Sequence, residues 1–272
     1  FSLGATGPGI NVEFTATDSS GNTSSDSVTV ILIDTIRPIL TATNDTVYLD
    51  AAGNATVDTS AFNIAITENC AINSVTLSES SFSCADTNVQ SVQIFTDDAS
   101  SNADSVTVQL FILDTTSPIV ATQPITVYLD GTGSATITGD SVDNGTTDNC
   151  AIASLTLSQS TFTCADTGVN NVIFTATDSS SNTTTAIVAV TVLDTTSPTL
   201  AVNNPTTFYL NAAGSVTITA DSIDNGTNDN CAIASLSLST TTFTCADAGA
   251  NSVTFTATDS SGNTSSTTVT VN

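Results

Sequence analysis

Carboxylate and amide side chains are the groups of this sequence that could do chemistry, and they recur about every 80 residues. Their oxygen atoms are hard ligands, which Ca²⁺ binds in sets of about six to eight and in flexible geometry. We therefore expect calcium as the cofactor. The candidate ligands, in chain order, are Asp34, Glu68, Asn69, Asp98, Asn102, Asp114, Asp143, Asp148, Asn149, Asp178, Asn182, Asp194, Asp224, Asp229, Asn230, Asp259 and Asn263.

The charge balance supports cation binding but is also compatible with two alternatives. The sequence has 26 acidic residues, no Lys or His, and Arg37 as its single basic residue. Carboxylates gathered without basic partners repel one another unless a cation or salt screens them. A salt-screened surface is therefore the first alternative to bound calcium. The second is turn formation, because Asp and Asn side chains bond well to nearby backbone N–H groups.

Six cysteines form three evenly spaced pairs, each with thirteen residues between its members. One pair per repeat predicts three disulfides within the repeats and an oxidising, extracellular location. Such a bond closes a loop of about 15 residues and contributes roughly 3 kcal/mol in the chain-entropy model. Zinc is a poor alternative, since neither His nor a Cys-x-x-Cys spacing is present. The predicted pairs are Cys70 with Cys84, Cys150 with Cys164, and Cys231 with Cys245.

The linker Leu-Asp-Thr-Thr-Ser-Pro defines the domain organisation. It stands at 113–118 and 193–198, with a variant at 33–38, so the linker aspartates lie 80 residues apart. Its proline stiffens the chain and favours extended backbone before it. The predicted units are the end of a truncated repeat (1–33) and three full repeats, which we number first (34–113), second (114–193) and third (194–272). We expect the sequence to be a piece of a longer array.

Each repeat carries about seven short segments with the period-two alternation of half-buried strands, separated by turn residues, and none has a helical period. The pattern predicts an all-β fold, a tandem array of immunoglobulin-like seven-stranded β-sandwich domains. The antibody pattern itself is absent, because there is no Trp and each Cys pair is too close in sequence. The predicted core positions are Tyr48, Tyr128, Tyr209, Ile72, Ile152, Ile233, Leu77, Leu157, Leu238, Phe82, Phe162 and Phe243.

In such a sandwich the N-terminal linker, the second loop and the last turn meet at one end of the domain. The candidate ligands of each repeat occupy these three segments, so we expect them to converge. The first repeat departs from the pattern, since Glu68 replaces the loop Asp and Asn63-Ile64 replaces Asp143-Asn144. We expect its site to be weaker or lost, although Asp34, Glu68, Asn69, Asp98 and Asn102 could still suffice.

Several function classes are disfavoured by composition. Nucleic acid has no cationic surface to bind, and no run of about 18 apolar residues could form a membrane helix. A nucleophilic Ser would lack a base, because there is no His or Lys and every Cys is predicted to be paired. Residue types alone permit a two-carboxylate glycosidase, but a catalytic site repeated along an array is not expected. We predict that the protein is not an enzyme.

Three motifs together resemble a known family of repeats. These are Asp-Asn-Cys-Ala-Ile-Ala-Ser-Leu, Phe-Thr-Cys-Ala-Asp and the linker. They are similar to the HYR-like, Ig-like repeats in very large surface proteins of Bacteroidetes, of the gliding-motility adhesin type exported by type IX secretion. The resemblance implies a cell-surface filament with a distal binding domain elsewhere in the protein. The acidic linkers also look like cadherin-type interdomain calcium sites, by analogy.

The predicted function is structural: a disulfide-stapled, calcium-stiffened stalk segment of a secreted cell-surface adhesin. Its partners would be the neighbouring repeats of the same chain, with a glycan or protein ligand bound by domains outside this segment, and no nucleic acid or membrane contact. The alternative is a module that binds a glycan or protein through its own repeat loops. Near-identical loops and few aromatic residues for sugar stacking favour the stalk.

Overall fold

The structure, a computed structural model, describes residues 9–272. Residues 1–8 of the predicted N-terminal remnant lie outside that range. The chain divides into two compact units. Unit 1 comprises the chain up to Ser117 with Asp148–Ala151 and Asp178–Asn182, and unit 2 comprises Pro118–Thr147, Ile152–Thr177 and Thr183–Asn272.

Unit 1 is built almost entirely of strands. A hairpin of β1 and β2, exposed along its whole length, precedes a four-stranded sheet in the order β4-β10-β9-β7. Only the β4–β10 pairing is parallel. Two short ladders, β3–β6 and β5–β8, complete the unit. The strands are β1 (Ile10–Thr17), β2 (Thr23–Val30), β3 (Ile39–Thr41), β4 (Asp45–Tyr48), β5 (Asn54–Thr56), β6 (Ala65–Thr67), β7 (Ile72–Leu77), β8 (Ser81–Ser83), β9 (Asn88–Asp98) and β10 (Ala103–Leu113).

Unit 2 repeats this plan twice. Its first sheet has the order β11-β16-β15-β13, its second is the three-stranded β18-β20-β21, and ladders β12–β14 and β17–β19 accompany them. In the second sheet a single parallel bridge, Thr206 to Val271, stands where the other sheets have a fourth strand. The strands are β11 (Ile125–Tyr128), β12 (Ser134–Thr136), β13 (Ile152–Leu157), β14 (Thr161–Thr163), β15 (Gly168–Asp178), β16 (Thr183–Leu193), β17 (Ser215–Thr217), β18 (Ile233–Leu238), β19 (Thr242–Thr244), β20 (Asn251–Asp259) and β21 (Thr264–Val271).

In the part of the chain that the structure describes, helical structure is limited to single turns. The one α-helix among residues 9–272 is α1 (Gly139–Val142). Within this range no helix has the length and hydropathy needed to cross a bilayer. The 3₁₀ turns are Thr59–Phe62, Cys84–Asp86, Cys164–Asp166, Ala220–Ser222 and Cys245–Asp247.

Each core lies between a large sheet and its short ladders, as in a two-layer sandwich. In unit 1, β10 buries alternate residues, Val108, Leu110 and Ile112, against Phe82 of β8. This alternation follows from the period-two geometry of a strand, which places successive side chains on opposite faces. The predicted all-β, immunoglobulin-like fold is confirmed, although residues 39–113 carry eight strands rather than seven.

The predicted core is partly wrong. Phe82, Phe162 and Phe243 are buried, and Leu77, Leu157 and Leu238 pack against the three cores. The isoleucines at 72, 152 and 233 are half-buried. The tyrosines at 48, 128 and 209 are 59%, 60% and 85% exposed. Residues on either side of each tyrosine face the core in the first two repeats, so the tyrosine itself must point away.

Candidate metal centres

Three clusters of carboxylates lie at the places where the linkers meet the loops. In each cluster one carboxylate oxygen from every member lies within 4.8 Å of the others. The middle member comes from the loop before β7, β13 or β18, and the last member is the final residue of β9, β15 or β20. The clusters are Asp34, Glu68 and Asp98; Asp114, Asp148 and Asp178; and Asp194, Asp229 and Asp259.

The last turn of each repeat is tied to the linker by an asparagine. In the second repeat, Asp178 Oδ1 accepts the backbone N–H groups of Ser180 (2.9 Å) and Asn182 (2.7 Å). Asn182 Nδ2 donates to Asp178 Oδ2 at 2.8 Å and to the Asp114 carbonyl at 3.1 Å. Asn102 and Asn263 make the same bonds. In each repeat, the amide group of the last-turn asparagine therefore holds the last-turn carboxylate next to the backbone of the linker aspartate.

Each loop asparagine holds the linker carboxylate from the other side. Asn149 Nδ2 donates to Asp114 Oδ1 at 3.2 Å, and Asn230 does the same for Asp194. Asn69 donates to Asp34 Oδ1 at a longer 3.3 Å and is itself exposed. The linker Asp, the loop acid and its Asn, and the last-turn Asp and Asn are therefore brought together in all three repeats.

Several buried oxygens in these clusters accept no hydrogen bond from any described residue. Buried polar atoms are nearly always partnered, so an orphaned one points to a missing ligand or a special role. Asp114 and Asp194 are only 7% exposed, and no basic side chain is available to them. The atoms are Asp34 Oδ2, Glu68 Oε2, Asp114 Oδ2, Asp148 Oδ1, Asn149 Oδ1, Asp194 Oδ2, Asp229 Oδ1 and Asn230 Oδ1. A hard cation with oxygen ligands fits this donor set.

Two candidate ligands lie outside the clusters. Asp143 accepts the backbone N–H of Thr146 at 3.0 Å, and Asp224 accepts that of Thr227 at 3.0 Å. A hydrogen bond with the side chain of Thr146 lowers the pKa of Asp143. These two residues form turns, whereas the remaining fifteen candidates belong to the clustered groups.

The cysteine pairing differs from the prediction. The structure has Cys84–Cys150 and Cys164–Cys231 disulfides, with Cα–Cα distances of 5.3 and 5.4 Å, and leaves Cys70 and Cys245 free. Each bond joins one repeat to the next instead of closing a loop within a repeat. The reason is visible in unit 1, where the six-residue β7 runs about 20 Å between the two cysteines. The three-residue β8 returns at most half of that distance, and a disulfide spans only about 7 Å between Cα atoms.

Sequence reasoning also missed the surface that receives the next repeat's loop. Asn149 Nδ2 donates to the Asp50 carbonyl at 3.1 Å, and Asn230 donates to the Asp130 carbonyl at 3.0 Å. Both carbonyls belong to four-residue turns that end in glycine. Gly53 has φ +75°, and a Cβ there would lie 2.7 Å from the Asn149 carbonyl oxygen. The recurring turns Asp50–Gly53, Asp130–Gly133 and Asn211–Gly214 were the signal that could have revealed this surface.

The free thiol of Cys70 lies against the first cluster. Its hydrogen bond with the Asp34 carboxylate, its burial and the charges of Asp34, Glu68 and Asp98 raise the pKa of Cys70 to about 11. The same hydrogen bond is the main cause of the lowered pKa of Asp34.

Cys70 is therefore expected to alkylate slowly. At pH 8 a thiol with this pKa is roughly one part in a thousand thiolate, and the thiolate is the reacting form. In a Cys245→Ser background with chelator, Asp34→Asn removes the largest cause of the raised pKa of Cys70 and should therefore increase the iodoacetamide rate at Cys70, as followed by intact mass. Asp143→Asn, outside the cluster, is the control and should leave the rate unchanged. Equal rates with and without Asp34 would contradict the contact.

Comparison with known proteins gives no family assignment. No family model matches the chain, and no curated protein matches it. Among solved structures, a protocadherin gammaB7 EC3-6 cis-dimer matches at TM-score 0.35 and 14% identity, covering 97% of this chain and 84% of that chain. Mouse cadherin-23 EC22-24 matches at 0.32 and 15%, covering 87% and 98%. Human mucin-like protocadherin EC1-2 matches at 0.33 and 11%, covering 57% and 98%. At these scores the site must be interpreted from this chain's own residues.

Proposed function

We propose that this chain is a stalk segment of a secreted, extracellular adhesin, in which each linker is stiffened by calcium. The observation that carries the proposal is made at each linker: three carboxylates lie together, and two of them have a buried oxygen that lacks a partner. Calcium at the cluster would hold Asp114, Asp148 and Asp178 in one arrangement. It would thereby restrict bending of the linker against the two loops it contacts.

The two disulfides lie beside the second and third carboxylate clusters, in the loops that contribute Asp148 and Asp229. Asp148 is a member of the second cluster, Asn149 bonds the preceding repeat, and Cys150 is disulfide-bonded to it. In the third repeat the corresponding loop residues, Asp229, Asn230 and Cys231, have the same three roles in the same order. Three consecutive residues of this loop thus supply a candidate metal ligand, a hydrogen bond and a disulfide. This concentration of contacts favours a mechanical role for the loop.

The finer assignment rests on the sequence motifs. Their resemblance to HYR-like repeats supports a large adhesin of the Bacteroidetes gliding-motility type, exported by type IX secretion and organised as the repeats 34–113, 114–193 and 194–272. The distal binding domain would then lie outside this segment. The same loop contacts disfavour a module that binds ligands through these loops, because Asn149 and Asn230 are engaged with neighbouring repeats.

Calcium-dependent stability tests the proposal. The full chain is unfolded thermally in calcium and in magnesium or chelator at matched ionic strength. A ligand that binds only the folded state at about 100 times its Kd adds about 2.7 kcal/mol, which corresponds to several degrees in Tm. We expect a calcium-specific rise in Tm.

Matched variants separate a metal site from salt screening. Asp178→Asn with Asp259→Asn leaves one oxygen to accept the turn N–H groups, replaces the oxygen that accepts the Asn182 and Asn263 amides, and removes two charges. It should abolish most of the rise. Asp143→Asn with Asp224→Asn removes the same charge outside the clusters and should preserve it. A rise that is equal in both pairs, or one reproduced by magnesium or sodium at equal ionic strength, would refute the calcium sites.

A further inference from the structure

The turn-and-cysteine surface that receives a loop is present three times but filled only twice. We call it the loop seat: a four-residue turn ending in glycine, together with the cysteine that follows β8, β14 or β19. In the first repeat, Cys84 Sγ lies 3.6 Å from the Gly53 carbonyl and 3.5 Å from the Asn149 carbonyl. In the second repeat, Cys164 Sγ lies 3.7 Å from the Gly133 carbonyl and 3.6 Å from the Asn230 carbonyl.

The loop seat of the third repeat has the same geometry without a loop in it. Cys245 Sγ lies 3.6 Å from the Gly214 carbonyl, and Gly214 has φ +73°. A Cβ on Gly214 would contact only Cys245 Sγ, and Cys245 is exposed. Asn211 replaces the aspartate of the other seats, but its Oδ1 accepts the same two turn N–H groups, from Ala213 and Ser215. The acceptor for an incoming asparagine is a backbone carbonyl, so this replacement leaves it intact.

A second surface at this seat indicates how the occupant is attached. Leu210, beside Asn211, is 38% exposed, whereas Leu49 and Leu129 are 6% and 4% exposed. The backbone N–H groups of Leu49 and Leu129 donate to the carbonyls of Leu113 and Leu193, each at 2.9 Å. Leu113 and Leu193 immediately precede the linker aspartates Asp114 and Asp194. An occupant joined in tandem brings such a residue to Leu210, whereas a separate partner does not.

We propose that the third loop seat binds the Asp-Asn-Cys loop of a further repeat of this kind, joined in tandem, and that Cys245 forms a disulfide with its cysteine. Two thiols are oxidised, and a low-molecular-weight disulfide such as oxidised glutathione accepts the two electrons. The first thiolate attacks the small disulfide and releases one small thiol, and the second attacks the mixed disulfide and releases the other. The proposal extends the tandem arrangement of the proposed function but needs no calcium.

Free thiols in an extended chain test the proposal. Residues 192–272 are appended after Asn272, which continues the repeat in register and adds copies of Cys231 and Cys245. After oxidation by glutathione disulfide, thiols are titrated in denaturant, and every glutathione adduct found by intact mass is counted as an unpaired thiol. We expect two, Cys70 and the copy of Cys245. Cys245→Ser in the extended chain should give three. The 272-residue chain should itself give two.

Other outcomes would overturn the proposal. One free thiol in the Cys245→Ser chain means that the appended cysteines pair with each other, and four in the parent extended chain means that the seat is not used. Disulfide-linked oligomers on non-reducing electrophoresis would assign Cys245 to a second copy. Because the titration is done without calcium, failure here is distinct from failure of the calcium sites.

Two glycine variants and a second extended chain control for effects unrelated to the loop seat. Gly214→Ala places a methyl group where the loop carbonyl would sit and should raise the count to four, whereas Gly131→Ala, which meets open space, should leave it at two. A second extended chain appends residues 112–191 instead, and circular dichroism checks that the added repeat is folded. Four free thiols in both folded extended chains would refute the loop seat.

Discussion

Replacing Cys84 and Cys150 together by serine is expected to lower the free energy of unfolding by about 4 kcal/mol. The bond closes a sequence separation of 66 residues, and loop closure of that length is worth about this much in the chain-entropy model. Urea denaturation should show a lower midpoint. Cys70→Ser and Cys245→Ser are the matched controls and should change stability by less than about 0.5 kcal/mol.

The single variant Cys84→Ser checks the pairing itself. It should expose three thiols, those of Cys70, Cys150 and Cys245, because the structure pairs Cys84 with Cys150. Pairing within repeats would leave the parent chain with no free thiol and would release only Cys70 in this variant. A parent chain without free thiols would therefore contradict the disulfides across the linkers.

The second large effect is expected from Phe174→Ala, which should destabilise the chain by about 3–5 kcal/mol. Phe174 is fully buried in the core of the second repeat, and truncation of a buried Phe loses transfer free energy and leaves a cavity. Calorimetry should show a lower Tm. Tyr128→Ala, at a side chain that is 60% exposed, should cost far less. Equal losses for the two variants would contradict the described core.

Much of the fold was predictable because its signals are local. Alternation along β13 and β16, and the turn residues between strands, indicate short strands without knowledge of their partners. The burial of Phe162 follows from the same pattern. The prediction that Tyr128 lies in the core is wrong, because the neighbouring Leu129 faces the core and alternation along a strand turns Tyr128 to the opposite face.

The disulfide pairing could not be derived from spacing. The cysteines of one repeat are 14 residues apart in all three repeats, and those of the observed bonds are 66 and 67 apart, so both spacings recur with the repeat and neither identifies the bonded pair. The pairing is decided by the direction of β7, which carries the chain away from Cys70 and so separates Cys84 from it. The clusters were more predictable, since sandwich topology brings linker, loop and turn together. Asp143 and Asp224 were included because sequence does not show which part of a polar loop faces the linker.

The two disulfides also limit how far the chain can lengthen under tension. A pulling force that reaches Cys84 crosses to Cys150, follows the backbone to Cys164 and crosses again to Cys231, so residues 85–149 and 165–230 carry no load. With every strand unfolded, the backbone in this load path is 14 residues, or about 50 Å. Without the disulfides the same interval of 147 residues would extend to roughly 500 Å. Between Cys84 and Cys231, the disulfides therefore shorten the fully extended length about tenfold, even if the domains lose their fold.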